Sequence, residues 1–546
     1  MKKSFLSIVL KWAITLLVIG GYYYFVLPPI NFQSKDFWFF VGFAIVVGVG
    51  INAFAQILEF IKDNKNATEK SKIPHFDFGS FNKPVKIALI AVVAIIALSA
   101  VASIVGSQLF NAKSYKDLII IEEGNFIEEV SEISQDQIPV VDRDTASRLG
   151  QRKLGEMADL VSQFEIEEIY TQINYKGKPV RVTPLMYGDI IKWVNNRSEG
   201  IPAYITVDMT TQETELVRLE KGIKYSESEY FMRDLNRALR FKYPTKIFDN
   251  ISFEIDDEGT PYWVASVIDF KIGFWSGSDI DGVVIMNAQT GESKYYKLED
   301  VPTWIDQVFD SDMIEQHLVY NGKYRSGFFN SIFGQRGVLQ PTDGYNYLAL
   351  DDYVYLYTGM TSVTSDESNV GFVLVNLRTK ETKFYTIPGA EEYSAMSSAE
   401  GQVQHLSYSS TFPLLLNVSD RPTYFMSLKE SAGLVKMYAF VDVNQYQIVG
   451  TGNTVESARA DYISKLKKEN VSDAPETEDQ EMEGVIAGIS SAVVEGNTTY
   501  YIKLENDANV YTALITKSDL LPFAKPGDRV KITVSGKTVN TIQFVE

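Results

Sequence analysis

Three long apolar runs open the chain, and no other feature limits its fold as strongly. Phe5–Leu27, Phe37–Phe60 and Ile87–Phe110 are each long enough to cross about 30 Å of hydrocarbon as a helix. A segment in lipid must satisfy its backbone polar groups within itself, so these runs predict three transmembrane helices. The first run ends in Tyr22, Tyr23 and Tyr24, an aromatic cluster suited to the lipid–water interface. YYYFVLPP follows it, with no small-residue cleavage site, so the run reads as a retained helix and not a signal peptide. Lys11 and Glu59 sit near the run ends, and nothing ionisable marks an ion path through the spans, which argues against a transporter or channel.

Lysine placement predicts the orientation. Lys2 and Lys3 precede the first run, and Lys62, Lys65, Lys70, Lys72, Lys83 and Lys86 fill the loop 61–86, whereas the loop 28–36 has only Lys35. The positive-inside rule puts the N-terminus and the 61–86 loop in the cytoplasm, and the chain after about residue 110 outside. The third run carries Ala88, Ala91, Ala94, Ala97, Ala100, Ser103 and Gly106 at every third position. Small residues let helices approach closely, so this run is the expected place for homo-oligomer contacts.

The net charge of −19 is unevenly spread. Residues 1–113 hold 11 lysines and five acids, so the acidic excess lies entirely in the remainder. That makes the soluble part a poor nucleic-acid binder, since phosphate contacts need clustered Lys and Arg. Cysteine is absent, which excludes disulfides, thiol nucleophiles and Cys-ligated zinc. The three histidines are His75, His317 and His405.

A chain of 546 residues needs several cores. A recurring hairpin shows how they are built. Gly282–Leu298 reads GVVIMNAQTGESKYYKL: an apolar strand, a turn, then an alternating strand. The pattern returns in Tyr204–Leu219 and Gly371–Ile387. An Asx residue (Asp208, Asn287, Asn376) is followed three positions on by Thr (Thr211, Thr290, Thr379) and five on by Glu (Glu213, Glu292, Glu381). A degraded fourth copy in Tyr438–Val449 keeps Asp442 alone. Asx side chains bond the backbone two residues on, so the set reads as a structural turn. Strands precede the later copies, at Pro261–Val267, Tyr353–Thr358 and Pro422–Leu428. Helices or turns follow, at Thr303–Val308, Ala390–Gln404 and Thr454–Leu466. The Asx positions lie 79, 89 and 66 residues apart, too irregular for a solenoid. Ahead of the repeats, Asp117–Glu123 and Val180–Val182 predict strands. A helix capped by Asp144 or Thr145 is expected to reach about Gln163, and another to span Tyr187–Asn195 with Gly200 stopping it.

NAQTGE at Asn287–Glu292, after an apolar strand preceded by PYWVASV, resembles the PepSY type of module. The stretches GKPVRVTPL (Gly177–Leu185) and EGTPYW (Glu258–Trp263) resemble large membrane-anchored proteins of Gram-positive anaerobes. The resemblance implies small extracytoplasmic α+β units and a location in the cell envelope. PepSY modules have no agreed catalytic residues, so it assigns none here. Some members of that family are read as inhibitors or chaperones of peptidases.

Lys465–Glu483 is polar and acidic without periodicity, as a linker would be. Beyond it, three alternating segments, a short helix at Lys517–Ala524 and two further segments follow in the order of an OB-like β-barrel, with an SH3-like barrel as the alternative. Residues 484–546 hold six basic and six acidic residues, so Tyr500, Tyr501, Tyr511 and Phe523 lack the basic face that nucleic acid requires. The expected organisation is a membrane anchor over 1–113, a juxtamembrane α+β region over 114–200, PepSY-like repeats over 201–466, an acidic linker over 467–483 and the barrel over 484–546. The fold class is a multidomain α+β ectodomain with a small all-β barrel behind three transmembrane helices.

Candidate chemistry is sparse. A Ser/Glu/His set around Glu391–Tyr408 with His405 lacks a G-x-S-x-G elbow. Adjacent acids such as Asp256/Asp257 and Asp351/Asp352 point to opposite faces of a strand and read as turns. Ser278–Gly282 resembles half a calcium loop but lacks the closing Glu. No metal or cofactor is therefore expected. The best contact surface is Tyr324–Gly337, with Tyr324, Phe328, Phe329, Phe333, Arg325 and Arg336, joined by Trp275, because aromatic and Arg residues dominate binding hot spots. These features predict a non-catalytic, membrane-anchored binding or scaffold protein whose partner is a protein or a cell-wall polymer. The alternatives are an envelope hydrolase using Ser or carboxylate chemistry and a subunit of a larger membrane complex.

Overall fold

The protein is described from a computed structural model over residues 2–63, 83–134, 137–350, 352–363, 365–469, 480–494, 497–507, 509–535 and 537–545. His75, most of the lysine-rich loop, Asp351 and most of the acidic linker fall outside these residues. The chain is a mixed α+β multidomain protein with four small sheets and a closed barrel.

The apolar runs form helices α1 (Lys2–Val26), α2 (Lys35–Asp63) and α3 (Lys83–Val105), with α2 between the other two. Among the described residues, two stretches are long and apolar enough to cross a membrane, Val9–Val26 and Lys86–Val105, and almost none of either is buried in the protein. The second run is helical over 29 residues, but it is not one of these two stretches. Tyr22 stacks on Phe43 at 4.1 Å between ring centroids, which joins the end of α1 to α2.

The four sheets share one design. Each contains an antiparallel leading strand followed by a hairpin. The leading strands are Lys178–Tyr187, Pro261–Ile272, Tyr353–Ser362 and Pro422–Lys429. Their partners across the register from the four Asx residues are Val180, Tyr262, Tyr355 and Thr423. The same register position in all four makes these equivalent units. The first unit therefore begins before residue 201, and the expected boundary at 200 cuts through a five-stranded sheet. Its leading strand is buried along nearly its whole length, so the alternation that signals a half-buried strand is missing from the sequence.

Other boundaries moved for local reasons. Asp142, not Asp144 or Thr145, caps the helix Arg143–Gly155, accepting from Thr145 N at 2.9 Å, and that helix stops well before Gln163. Asp189 caps Ile190–Asn196, and Gly200, at φ +87°, lets the chain turn out of it. The strand expected at Asp117–Glu123 is Ile121–Gly124, parallel to Thr382–Tyr385 of the third unit. Residues 303–308 form turns, and the helix of the second unit is Ser311–Lys323.

The hairpin turns are hydrogen-bonded alike. Oδ1 of Asp208, Asn287 and Asn376 accepts from the backbone N–H two and three residues on, at 2.8–3.1 Å. The Thr hydroxyl then accepts from the Glu N–H at 3.2–3.3 Å. The Glu carbonyl accepts from the Asx N–H, so Glu213, Glu292 and Glu381 act through their backbone while their side chains are exposed. The residue before each Glu is left-handed; only Gly291 among Gln212, Gly291 and Lys380 adopts that conformation without a Cβ penalty.

The sheets share cores. Residues from the first, second and fourth units meet in one cluster, with Trp263, Phe253, Phe425 and Tyr462. The second and third units meet around Phe309, Ile314 and Leu356, and the third and fourth around Tyr357, Phe372 and Tyr424. The barrel, in strand order Gln480–Val494, Asn497–Leu504, Val510–Leu514, Thr538–Val545, Arg529–Ser535, has a core of its own. In place of the short helix expected at Lys517–Ala524 it has two 3-10 turns, Ile515–Lys517 and Leu521–Phe523.

One buried ionic node ties the first three units together. Arg378, in the third turn, pairs with Asp306 at 3.1 Å and donates to the Ile305 carbonyl. Asp306 also accepts from Asn174 N of the first sheet at 2.6 Å. The Asp306 and Gln307 N–H groups donate to Glu254 of the second sheet at 2.9 and 3.1 Å. Burial pushes both acids up, Glu254 to about 7 and Asp306, which also feels the Glu254 charge, well above the usual range. Removing one partner of a buried pair leaves an uncompensated charge. Arg378→Met is therefore expected to cost about 3–5 kcal/mol in urea unfolding, with Arg378→Lys intermediate. A loss below about 1 kcal/mol for Met would show that the node does not hold the units together.

Candidate functional site

Two linked clefts carry the polar chemistry of the four units. The larger, about 640 Å³, opens where the four units meet. Arg181 stands in its wall, in the middle of the first leading strand and 6% exposed. Its guanidinium donates to the Tyr170 carbonyl at 3.1 Å and to Gln172 Oε1 at 3.3 Å, while its Nε has no partner. Burial draws its pKa down to about 10, so it stays charged at neutral pH.

The second cleft, about 430 Å³, shares Asp310 and Asp312 with the first. Asp310 caps the helix Ser311–Lys323 through Oδ1, which accepts from Met313 N at 3.0 Å. That leaves Oδ2 buried without a partner. Asp249 comes from the strand Ile247–Ile255 beside a register shift between Phe248 and Ile251. A bulge of this kind re-aims side chains, and here it brings Asp249 to Asp310. Burial and the Asp310 charge push Asp249 up to about 6, so it holds its proton well above the usual carboxylate range. His317, on the same helix, is 2% exposed and bonds the Ser278 carbonyl through Nε2 at 2.9 Å. Burial, with the Lys380 charge second, holds it down at about 4, so the ring is neutral. Trp275, Tyr115, Phe270 and Tyr320 complete the wall.

The expected contact loop divides in two. Tyr324 and Phe328 turn inward and continue a line of rings from Tyr115 and Tyr320, with centroid steps of 4.8, 6.2 and 6.2 Å. Phe329, Phe333, Arg325 and Arg336 point outward, Phe333 at 81% exposure. Trp275 is separate from the loop's exposed half and lines the second cleft. Asp442 differs from its three counterparts: it shapes its turn and is also buried against Arg421 and Tyr462.

The Ser/Glu/His arrangement does not assemble. Glu391 Oε1 accepts from Ser394 N as a helix cap, and His405 is exposed on the turn after that helix. Asp279, in the half calcium loop, pairs with Lys380 at 2.6 Å and lies within the strand Ser276–Asn287. Among the described residues, no group of His, Asp and Glu is placed to hold a metal ion. Sequence reasoning missed Asp249 and Arg181. No local pattern marks a bulge in the one or a missing counter-ion in the other.

No family model matches the chain, and no curated protein matches it. A solved structure, dihydro-heme d1 dehydrogenase NirN in complex with DHE, aligns over 69% of this chain and 57% of its own, at 6% identity and a TM-score of 0.15. A likeness that low carries no shared fold or chemistry.

The Asp249 value lies above the ordinary carboxylate value of about 3.9. Its contribution to stability is full below about pH 4 and is lost as pH rises through about 6. Asp249→Asn, whose amide can donate to Asp310, is therefore expected to raise Tm by about 2 °C at pH 7.5 and to leave it unchanged near pH 4. A change of equal size at both pH values would exclude the raised proton affinity of Asp249.

Proposed function

We propose that this chain is a membrane-anchored extracytoplasmic protein of the cell envelope. In this reading α1, α2 and α3 all span the membrane, the N-terminus is cytoplasmic, and PepSY-like units with an OB-like barrel form a non-catalytic binding platform. Its partner is a protein or a wall polymer. The observation that carries the reading is the way the ectodomain is fastened to the helix ends. Arg237 donates to the Tyr24 carbonyl at 3.2 Å and lies 4.3 Å over that ring, and Arg240 donates to the Leu27 carbonyl at 2.9 Å. The last carbonyls of a helix lack intrahelical partners, and here two of the arginines in Leu235–Lys242 supply them. Tyr115 closes the other end, donating to the Gly106 carbonyl at 2.8 Å.

Exposed apolar side chains surround these attachments. Ile190, Ile191, Val194, Phe231 and Met232 cluster through Trp193 and Tyr230 near the end of α1. Phe329 extends the ring line that starts beside Gly106, and Phe333 is exposed on the same loop. Large exposed apolar patches mark protein or membrane contacts, and these adjoin helices with the length and composition of spans. The contact loop is accordingly read as a membrane-facing or partner-facing edge.

The Asp249–Asp310 pair favours a second reading, an envelope hydrolase, because a carboxyl that holds its proton up to about pH 6 beside a second carboxyl is raw material for acid–base catalysis. The exposed apolar face of α3 fits a third, a subunit of a larger membrane complex.

The absence of cysteine makes the topology directly testable. Ser326→Cys and Ser71→Cys are placed singly in the full chain and exposed to an impermeant maleimide on intact cells. Labelling of Cys at 326 alone is expected, with Cys at 71 labelled only after lysis. The reverse pattern would overturn the extracytoplasmic placement.

A further inference from the structure

An apolar patch that faces away from the protein adjoins the end of α1. The short helix Ile190–Asn196 turns Trp193 inward and leaves Ile190, Ile191 and Val194 outside, since residues four apart share one side of a helix. Ile191 is 69% exposed. Next to it the turn Phe231–Arg233 exposes Phe231 and Met232. The rings of Tyr230 and Phe231 lie 4.8 and 6.0 Å from Trp193, which joins the two segments in one surface. Phe231 has φ +56°, a left-handed conformation that is strained for a bulky side chain. Strain that holds a phenyl ring outward calls for something apolar to receive it.

Arg237 sets where that ring lies. Its Nη1 donates to the Phe231 carbonyl at 2.6 Å, and its Nε donates to the Tyr24 carbonyl at 3.2 Å. One guanidinium therefore holds the backbone of Phe231 beside the backbone of Tyr24. Phe241 adds a second link, its ring edge-on to Tyr23 at 5.8 Å. Tyr22, Tyr23 and Tyr24 form the aromatic cluster in which α1 ends, and Phe25 and Val26 after them are exposed. Such clusters sit at the lipid–water interface, so the patch is level with that interface and continuous with the exposed apolar surface of α1. Two basic side chains at its border are paired within the protein, Lys192 with Asp189 at 3.4 Å and Arg233 with Glu229 at 3.0 Å, so contact with lipid strands neither charge. We propose that Ile190, Ile191, Val194, Phe231 and Met232 insert into the leaflet in which α1 ends, buried about 5–10 Å into the headgroup–acyl boundary as an interfacial helix is. The first unit then rests on the bilayer at a fixed height. The proposal deepens the membrane-anchored reading and rests on it for the placement of Tyr24.

The absence of cysteine allows one spin label per chain. Ile191→Cys, Val194→Cys and Phe231→Cys are made singly in the full chain, labelled with a nitroxide and reconstituted into phosphatidylcholine–phosphatidylglycerol vesicles. Power saturation with oxygen and with a nickel chelate reads immersion, because oxygen concentrates in lipid and the chelate stays in water. Leu16→Cys, exposed in the middle of α1, reports the span itself. Glu213→Cys, exposed on the turn at the far end of the strand Ile201–Asp208, reports water. The three patch labels are expected to meet oxygen more than the chelate, at a depth of about 5–10 Å and shallower than the label at 16. The label at 213 shows the reverse. Patch labels that behave like the label at 213 overturn the proposal, and an immersed label at 16 then leaves the span reading standing. Patch labels shielded from both reagents mean that protein or a second copy covers the face, which overturns it as well. A label at 16 outside lipid overturns the span reading, and the proposal survives that only if the patch labels are themselves immersed. Phe231→Cys alters a strained position, so the labels at 191 and 194 decide the outcome if that variant melts early.

Discussion

The packing of the four units depends on where their buried charges find partners. Arg378 is set by its own turn, and it meets Asp306 in a segment that belongs to no sheet. That segment then spends its backbone on the second and third units, through Glu254 and through the Leu377 carbonyl, which accepts from Val308 and Phe309 N–H. Three units are thereby registered to one another by a handful of bonds in a dry interior. A misaligned unit would strand a charge, which costs more than a displaced methyl group. The other units hold comparable nodes: Glu229 takes Tyr187 and Trp193, Glu392 takes Tyr357 and Asn369, and Asp442 takes Arg421 and Tyr462.

The repeated hairpin supplies the frame for these nodes. Its Asx and Thr side chains satisfy backbone N–H groups that a sheet ladder would otherwise leave open, each such bond contributing about 0.5–1.5 kcal/mol. Its Glu residues, the obvious candidates for chemistry, contribute only main-chain atoms to the turn. The chemistry sits instead between units. Asp249 and Asp310 are 61 positions apart in sequence, and a bulge in one element and a cap in the next bring them together. The second cleft also borrows Tyr115 from the segment that leaves α3, so the cleft and the end of that helix are joined.

Legibility followed how local each signal was. Asn287 with Thr290 was readable because the bonds that define the turn close within five residues. The leading strand of the first unit was not, because burial on both faces removes the alternation that marks a strand, and the boundary drawn at residue 200 split its sheet. Tyr324 and Phe329 are chemically alike in sequence, yet one is core and the other is exposed, because a π-helical turn at Asn330–Gly334 follows a helix that buries only one of its faces.

The sequence by itself determined the apolar N-terminal helices, the mixed α+β class, the repeated turn and the separate terminal barrel. Each follows from hydrophobic content, period or a short-range hydrogen bond, and these need no knowledge of distant residues. Only the tertiary structure decided which charges are buried together and which aromatic residues face inward. Those outcomes depend on low-dielectric contacts between units far apart in the chain, and a carboxylate or a tryptophan carries no mark of its future neighbours.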